Sequence, residues 1–443
     1  MDAAPVAPPV RRDRAKTLAT LAVLLASAPL TAAVALPVWL LGLPFRRKPA
    51  AGARCVLVSG GKMSKAGLIA RAFHRAGHRV VMAETERYSL TGHRFSRAVH
   101  AFVQLPEPNA PGYADALREV IQTHGVDVYV PVCSPAASIA DARAKPDIQA
   151  LCDVVHLGPE GCARVDDKHA FSEAARAKGL SAPKSYRITD PQQVLDHDWS
   201  VETRPFIIKS IAYDAIRRLD LTPLPRPTRA QTAAFLATLP ISESNPWVMQ
   251  EFIEGTEYCT HGTVRDGRLT VHIACESSPF QINYEHVPRA DMRDWVERFV
   301  AGTGYTGQLS FDFIEASDDG RLYAIECNPR THSAITLFKG RDGLAEAYLG
   351  ERAGVLEPAG ARPTYWLAHE LFRLLTGHGM SRRSRMRTIL RGRDAVWSLR
   401  DPLPFFMLHH VHIPSLLLRE LREGRGWHRI DFNIGKLVQQ GGD

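Results

Sequence analysis

The sequence is poor in the features that would classify it at once. It has no C-x-x-C pair: its seven cysteines (55, 133, 152, 162, 259, 275 and 327) are scattered and odd in number. That argues against a zinc ribbon or a disulfide framework and for reduced thiols. It has no collagen period or low-complexity tract, and 45% hydrophobic with 23% charged residues is the balance of a folded chain. Only one stretch is long and uncharged, which excludes a multi-span membrane protein. A phosphate loop is missing too. Gly60-Gly61-Lys62 has no glycine five residues before Gly61, and Met63 stands where a Ser or Thr would hold magnesium. The one literal G-x-G-x-x-G, Gly302 to Gly307, lies between a helical pattern (Asp294 to Val300) and a strand pattern (Gln308 to Phe313). A dinucleotide site needs strand before helix, so this segment reads as a helix-to-strand loop.

What is present is unevenly distributed. The 443 residues exceed one hydrophobic core, so two or three domains are expected. The net charge is +8, but the positive charge sits at the two ends. Residues 1–54 carry eight basic and two acidic groups, and residues 371–430 carry twelve arginines and four acids. Thr17 to Phe45 has no charge at all, with Arg11, Arg12, Arg14 and Lys16 before it and Arg46, Arg47 and Lys48 after it. It is long enough to cross a bilayer. Pro29 and Pro37 interrupt it, and positive flanks on both sides conflict with a single span. A hairpin with both ends cytoplasmic is therefore expected, making residues 1–52 a membrane-associated segment. A cleaved signal peptide, with Ala33-Val34-Ala35 as its cleavage site, is the competing reading. Near the other end, the basic run Ser381 to Arg387 and the apolar run Pro402 to Leu408 fit an anionic membrane surface. No nucleic-acid motif accompanies them, so nucleic acid is not an expected partner. His409, His410 and His412 lack metal-ligand spacing and read as core or surface residues.

Residues 53–155 alternate strand and helix patterns. Arg54 to Ser59, a glycine turn, a helix through Leu68 and Phe73, then Arg79 to Ala83, Asp127 to Pro131 and Val154 to Leu157 suit a parallel α/β unit. Residues 156–345 read as a second unit. Asp166-Asp167-Lys168 opens a helix, with acids at its positive end. Phe206 to Lys209 is an apolar strand ending in lysine. Trp247 to Tyr258 runs from strand through turn to strand. Residues 346–443 form a basic, partly apolar extension.

The chemistry concentrates in one hairpin, Leu309-Ser-Phe-Asp312-Phe-Ile and Leu322-Tyr-Ala-Ile-Glu326-Cys-Asn328-Pro-Arg330, joined at Asp318-Asp-Gly320. Strand side chains alternate between faces, so Glu326 and Asn328 share one. The hairpin brings Asp312 opposite Glu326, while Phe311 and Phe313 point away. Two carboxylates and an amide are hard oxygen donors suited to Mg²⁺ or Mn²⁺ with phosphate and water completing the shell. Arg330 adds a cation for phosphate oxygens.

These residues resemble the ATP-grasp ligases. The similarity runs from Lys168 and Lys209 through Glu251-Phe-Ile-Glu-Gly-Thr-Glu257 to Asp312 and Glu326-Cys-Asn328-Pro-Arg330. It implies an ATP-grasp fold of two α+β subdomains behind an N-terminal parallel α/β domain. It implies that Lys168 and Lys209 meet the α- and β-phosphates, and that Glu251 and the backbone at Ile253 meet the adenine. Glu257 would take the ribose, and Asp312, Glu326 and Asn328 two magnesium ions. Lys209 and Arg330 would be the catalytic cations. Many such ligases cover the phosphates with a glycine-rich loop after the second lysine; here Lys209 to Asp220 has no glycine, and Arg217 and Arg218 offer charge instead.

The run Ile208 to Thr222 and the late Asp431 to Val438 are similar to the mycosporine-glycine synthases. This implies an enzyme at the cytoplasmic side of a membrane that uses ATP to join glycine to 4-deoxygadusol through a phosphorylated ring oxygen. An ordinary carboxylate–amine ligase acting on an amino acid or peptide is the first alternative. A non-catalytic nucleotide-binding membrane protein is the second.

Overall fold

A computed structural model describes residues 11–42, 50, 52–132, 135–211, 217, 220–277, 283–376 and 381–438. The chain opens with α1 (Arg11–Leu41), a single helix of 31 residues with both prolines inside it. This corrects the expected hairpin; the second basic flank, Arg46 to Lys48, lies outside the described residues. The prolines still remove two backbone donors. The surrounding run of Ala and Leu favours helix, and tertiary packing along the helix outweighs the local penalty. The Ser27 hydroxyl bonds the Val23 and Leu24 carbonyls, and Thr31 bonds that of Ser27.

Next comes β1 (Cys55–Val58), α2 (Ser64–Arg75), β2 (Arg79–Thr85), β3 (Ala101–Leu105), α3 (Tyr113–His124), β4 (Val128–Val130), α4 (Pro135–Ile148) and β5 (Asp153–Val154). Every pairing is parallel, in the order β3-β2-β1-β4-β5. All four residues of β1 are buried, as a sheet covered on both faces requires. Val56, Val58 and Met82 pack with α2, while Leu57, Val81 and Tyr129 pack with α3 and α4. Gly60 adopts φ +69°, and a Cβ there would strike the Val132 carbonyl, so the turn admits only glycine.

After α5 (Pro159–Asp166), α6 (Lys168–Ala177) starts where the sequence places it, capped by the Asp167 carboxylate, which accepts from the His169 and Ala170 N–H groups. Then follow β6 (Ser185–Ile188), α7 (Pro191–Leu195), β7 (Phe206–Ser210), α8 (Arg229–Leu236) and β8 (Trp247–Glu251), a small antiparallel sheet ordered β6-β8-β7. A larger one, ordered β10-β9-β12-β13, is built from β9 (Gly255–Arg265), β10 (Arg268–Glu276), β12 (Gly307–Ala316) and β13 (Leu322–Asn328), with β11 (Asn283–Tyr284) and α9 (Ala290–Val300) inserted between β10 and β12. Helix α9 starts four residues earlier than its sequence pattern, and Gly302 to Gly307 is the loop from it into β12. Phe171, Trp295, Phe299, Phe311 and Phe313 form an aromatic core under this sheet.

The remainder is woven into the body. It comprises α10 (Leu344–Tyr348), β14 (Thr364–Tyr365), α11 (Leu367–Thr376), α12 (Arg382–Arg391), β15 (Arg393–Asp394), α13 (Leu403–Met407), a π-turn at Leu408–His412, α14 (Ile413–Arg422), and a hairpin of β16 (Arg429–Asp431) and β17 (Lys436–Val438). The apolar run 402–408 is not an open surface: Pro404 and Leu408 are buried, and α13 packs on α1 and on the turn at Gly92–Phe95. Exposed apolar residues of this part include Leu371, Phe372 and Leu375 of α11 and Met386 and Leu390 of α12. His409, His410 and His412 are buried, and no group of three His, Cys, Asp or Glu side chains suited to a metal occurs among the described residues. The six described cysteines are free and buried.

Candidate active site

The hairpin β12–β13 pairs Ser310 with Asn328 and Asp312 with Glu326, and the register slips by one residue beyond Asp312. On the other side Asp312 faces Cys259 of β9, and Cys259 faces Cys275 of β10. One row therefore crosses the sheet as Cys275, Cys259, Asp312 and Glu326. The neighbouring Phe311 and Phe313 enter the aromatic core beneath, as strand alternation dictates.

The electrostatics of the row are strained. Burial and the neighbouring charge of Glu326 push the Asp312 carboxyl well above its usual range. Lys168 does the opposite to Glu326: its Nζ lies 2.8 Å from Glu326 Oε2 and holds that carboxyl well down. The Asn328 amide donates to Glu326 Oε1 at 3.2 Å. Two carboxylates in contact cannot both ionise cheaply, so the charge favours Glu326, paired with Lys168, over Asp312. A divalent ion would relieve this, and two carboxylates with an amide suit Mg²⁺. The donor set fits the metal expected from the sequence.

Lys209 belongs to the same cluster. Its amine donates to the Asp220 carbonyl at 2.7 Å, and burial, together with the charge of Lys168, holds its pKa down. Arg330 follows β13 in a tight turn whose Pro329 carbonyl accepts from Ser138 Oγ of α4 at 2.6 Å. The parallel unit is thus bonded to the turn that carries Arg330. Arg330 also faces Asp166, whose carboxyl burial raises against the arginine's pull.

Of the residues expected on the nucleoside side, Glu251 lines a separate groove. Glu251 at the end of β8 is buried; its Oε2 accepts from the Lys184 N–H at 3.1 Å, and Arg204 Nη1 lies 3.6 Å from Oε1. Lys184, Arg204, Glu251 and Tyr323 line a space of about 460 Å³. Ile253 is buried against Ala316 and Tyr323. Glu257 is exposed at the start of β9, opposite Ile314, and its charge adds to the upward push on Asp312. Arg218 lies outside the described residues.

A cavity of about 300 Å³ adjoins the carboxylate row, lined by Asp312, Glu326, Asn328 and Arg330 and by residues the sequence reading missed: Lys65, Tyr284, His332, Asp431 and Asn433. The Lys65 amine donates to the Thr331 carbonyl at 2.6 Å. Burial, followed by the charges of Lys65 and Arg330, lowers the His332 pKa to about 3, so its ring is neutral near pH 7. Asn433 donates from Nδ2 to Ser333 Oγ at 2.7 Å, and its carbonyl accepts from the Ser64 N–H at 2.8 Å. These partners are far apart in sequence, and only the stretch around Asp431 carried any prior signal.

Comparison with known proteins accords with this geometry. No family model matches the chain. A curated relative, the C-terminal section of the carbamoyl phosphate synthase large chain from Methanopyrus kandleri, is 24% identical over 222 residues, which is 45% of this chain and 39% of that protein. The match thus spans well under half the relative's length. Among solved structures, N5-carboxyaminoimidazole synthetase from Staphylococcus aureus complexed with ADP superposes with a TM-score of 0.54 at 16% identity, over 75% of this chain and 86% of that one. The biotin carboxylase domain of Hydrogenobacter thermophilus 2-oxoglutarate carboxylase, complexed with MgADP and bicarbonate, gives 0.52 at 15% identity, over 68% and 70%. The chain has the ATP-grasp fold, preceded by a parallel α/β unit.

Proposed function

We propose that the protein is an ATP- and Mg²⁺-dependent ligase that forms a C–N bond between a small metabolite and an amino acid, releasing ADP and phosphate. The observation that carries this reading is the row of Asp312 and Glu326, with Asn328 beside it, between the cations Lys168, Lys209 and Arg330. Asp312, Glu326 and Asn328 would hold the metal, which when bound neutralises charge between the β- and γ-phosphates. Lys168 exchanges its contact with Glu326 for phosphate oxygens. Lys209 balances the α/β-phosphate charge, and Arg330 steadies the transferred group. Glu251, the Ile253 backbone and Glu257 form the nucleoside side. The likeness of the folds to structures complexed with ADP and MgADP supports a nucleotide there.

At the finer level, the acceptor is 4-deoxygadusol and the amine is glycine, giving mycosporine-glycine through a phosphorylated ring oxygen. A cavity of about 300 Å³ walled by Lys65, Arg330, Asp431 and Asn433 suits a small, hydroxyl-rich acceptor better than an apolar one. The enzyme works at the cytoplasmic face of a membrane, to which the apolar α1 attaches it.

The test is product identity. With Mg²⁺, ATP, 4-deoxygadusol and glycine, the expected products are ADP, phosphate and mycosporine-glycine, with little ATP turnover when either co-substrate is left out. AMP and pyrophosphate as products would overturn the phosphoryl-transfer reading. ADP formation with a different acceptor would leave the ligase and remove only the finer assignment.

A further inference from the structure

We infer that α1 lies in the plane of the membrane, half embedded, and does not cross it. The inference rests on the reading that this helix meets a bilayer, and it adds the orientation.

Helix α1 is docked on one side from Thr17 to Val38. Thr17, Leu21, Leu24, Ala28, Thr31, Ala35 and Val38 are buried or half-buried. Their spacing of alternately four and three residues is that of a seam along one side of a helix. The seam rests on α13, the π-turn and α14. His410 Nδ1 lies 2.7 Å from the Leu24 carbonyl, and the Arg97 guanidinium bonds the Trp39 carbonyl. A helix fixed to the folded body near residues 21, 24 and 39 cannot thread a bilayer unless it first leaves that body. If it stayed docked and crossed, it would carry charged surface of the body into hydrocarbon, which is costly.

The rest of the helix surface is built for hydrocarbon. Val23, Leu25, Leu30, Leu36, Leu40 and Leu41 are exposed, Leu30 and Leu41 by 75%. The hydroxyls of Thr20, Ser27 and Thr31 all bond to carbonyls one turn back, so none needs water. The prolines favour a shallow depth. Pro29 and Pro37 have no N–H for the carbonyls of Leu25 and Ala33 four residues earlier. Such carbonyls are expensive at the bilayer centre but reach water at the headgroup boundary, where in-plane helices lie. Arg14 and Lys16, exposed at one end of α1, complement anionic headgroups. The occupant of this face is therefore an anionic bilayer surface.

The experiment uses the full chain with spin labels placed singly on cysteines introduced at Leu18, Leu30 and Leu40, all exposed, with the unsubstituted chain as labelling background. Vesicles of phosphatidylcholine with phosphatidylserine are added, without ATP. The expected result is binding, with all three labels at one shallow depth. Shallow labels at Leu18 and Leu40 with a deep one at Leu30 would mean a span and overturn the inference, leaving the membrane reading intact. No vesicle binding, with dimers in solution, would assign the face to a second copy and overturn both; the ligase reading is judged by its own product assay. Leu30→Asp touches nothing in the body, so it should weaken vesicle binding by about tenfold, worth 1.4 kcal/mol, with the melting temperature unchanged. Equal binding by this variant would also overturn the inference.

Discussion

Asp312 and Asp401 are both acids taken out of water, and the protein treats them in opposite ways. Asp401 lies where the turn at Gly92–Phe95 meets the segment leading into α13. It receives Arg71 Nε at 2.7 Å, Ser96 Oγ at 2.6 Å and the Arg97 N–H at 3.0 Å. Burial alone would raise its pKa, but Arg71 and these donors outweigh it and hold it low. Asp312 has another carboxylate as its neighbour and is pushed up. A fully matched charge fastens parts of a fold together. An unmatched one, kept beside two lysines and an arginine, marks where something charged is meant to bind.

The largest effect should come from breaking the matched site. Asp401→Asn leaves Arg71 without its partner, and losing half of a buried pair costs about 3–5 kcal/mol, measurable by urea unfolding at neutral pH. A carboxylate depressed in the folded state adds stability above its unfolded pKa of about 4, and that stability is lost as pH falls through the folded value. The gap between Asp401→Asn and the parent should therefore close as pH falls below about 4. A gap independent of pH would mean that shape, not charge, holds the clasp.

Glu326→Gln probes the unmatched site, and its signature is the reverse. Turnover should fall on the order of 10²–10³, the usual loss for one electrostatic contributor, with a smaller loss of stability from the broken Lys168 pair, which Asp312, freed of its like-charged neighbour, partly offsets. MgATP should stabilise the variant less, because ligand stabilisation follows affinity. Unchanged turnover would remove Glu326 from the metal site. Smallest is Ser138→Ala, which deletes the bond to the Pro329 carbonyl and should cost about 1 kcal/mol. If that bond positions Arg330, kcat should fall more than the KM for ATP; a change in stability alone would make Ser138 merely structural.

The contrast also shows what a sequence can reveal. The facing of Asp312 and Glu326 was legible because a hairpin's register is local and a strand's period is two. The helix start at Lys168 was legible from its cap. Lys65, Tyr284, Asp431 and Asn433 were not, because they share a wall with Arg330 only after long-range packing. Helix α1 was misjudged for a related reason: proline's penalty is local, whereas the seam that overrides it lies on α13 and α14. The apolar run 402–408 looked like surface because its composition does not say which neighbour covers it.

The turn from Asp431 to Asn433 has one more consequence, in time rather than space. A ribosome delivers the carboxylate row, both lysines and Arg330 more than a hundred residues before that turn emerges. The turn then closes the cavity wall by clipping onto the Ser64 N–H and Ser333. During that interval the nascent chain has the carboxylate row and its cations but not the wall that Asp431 and Asn433 complete.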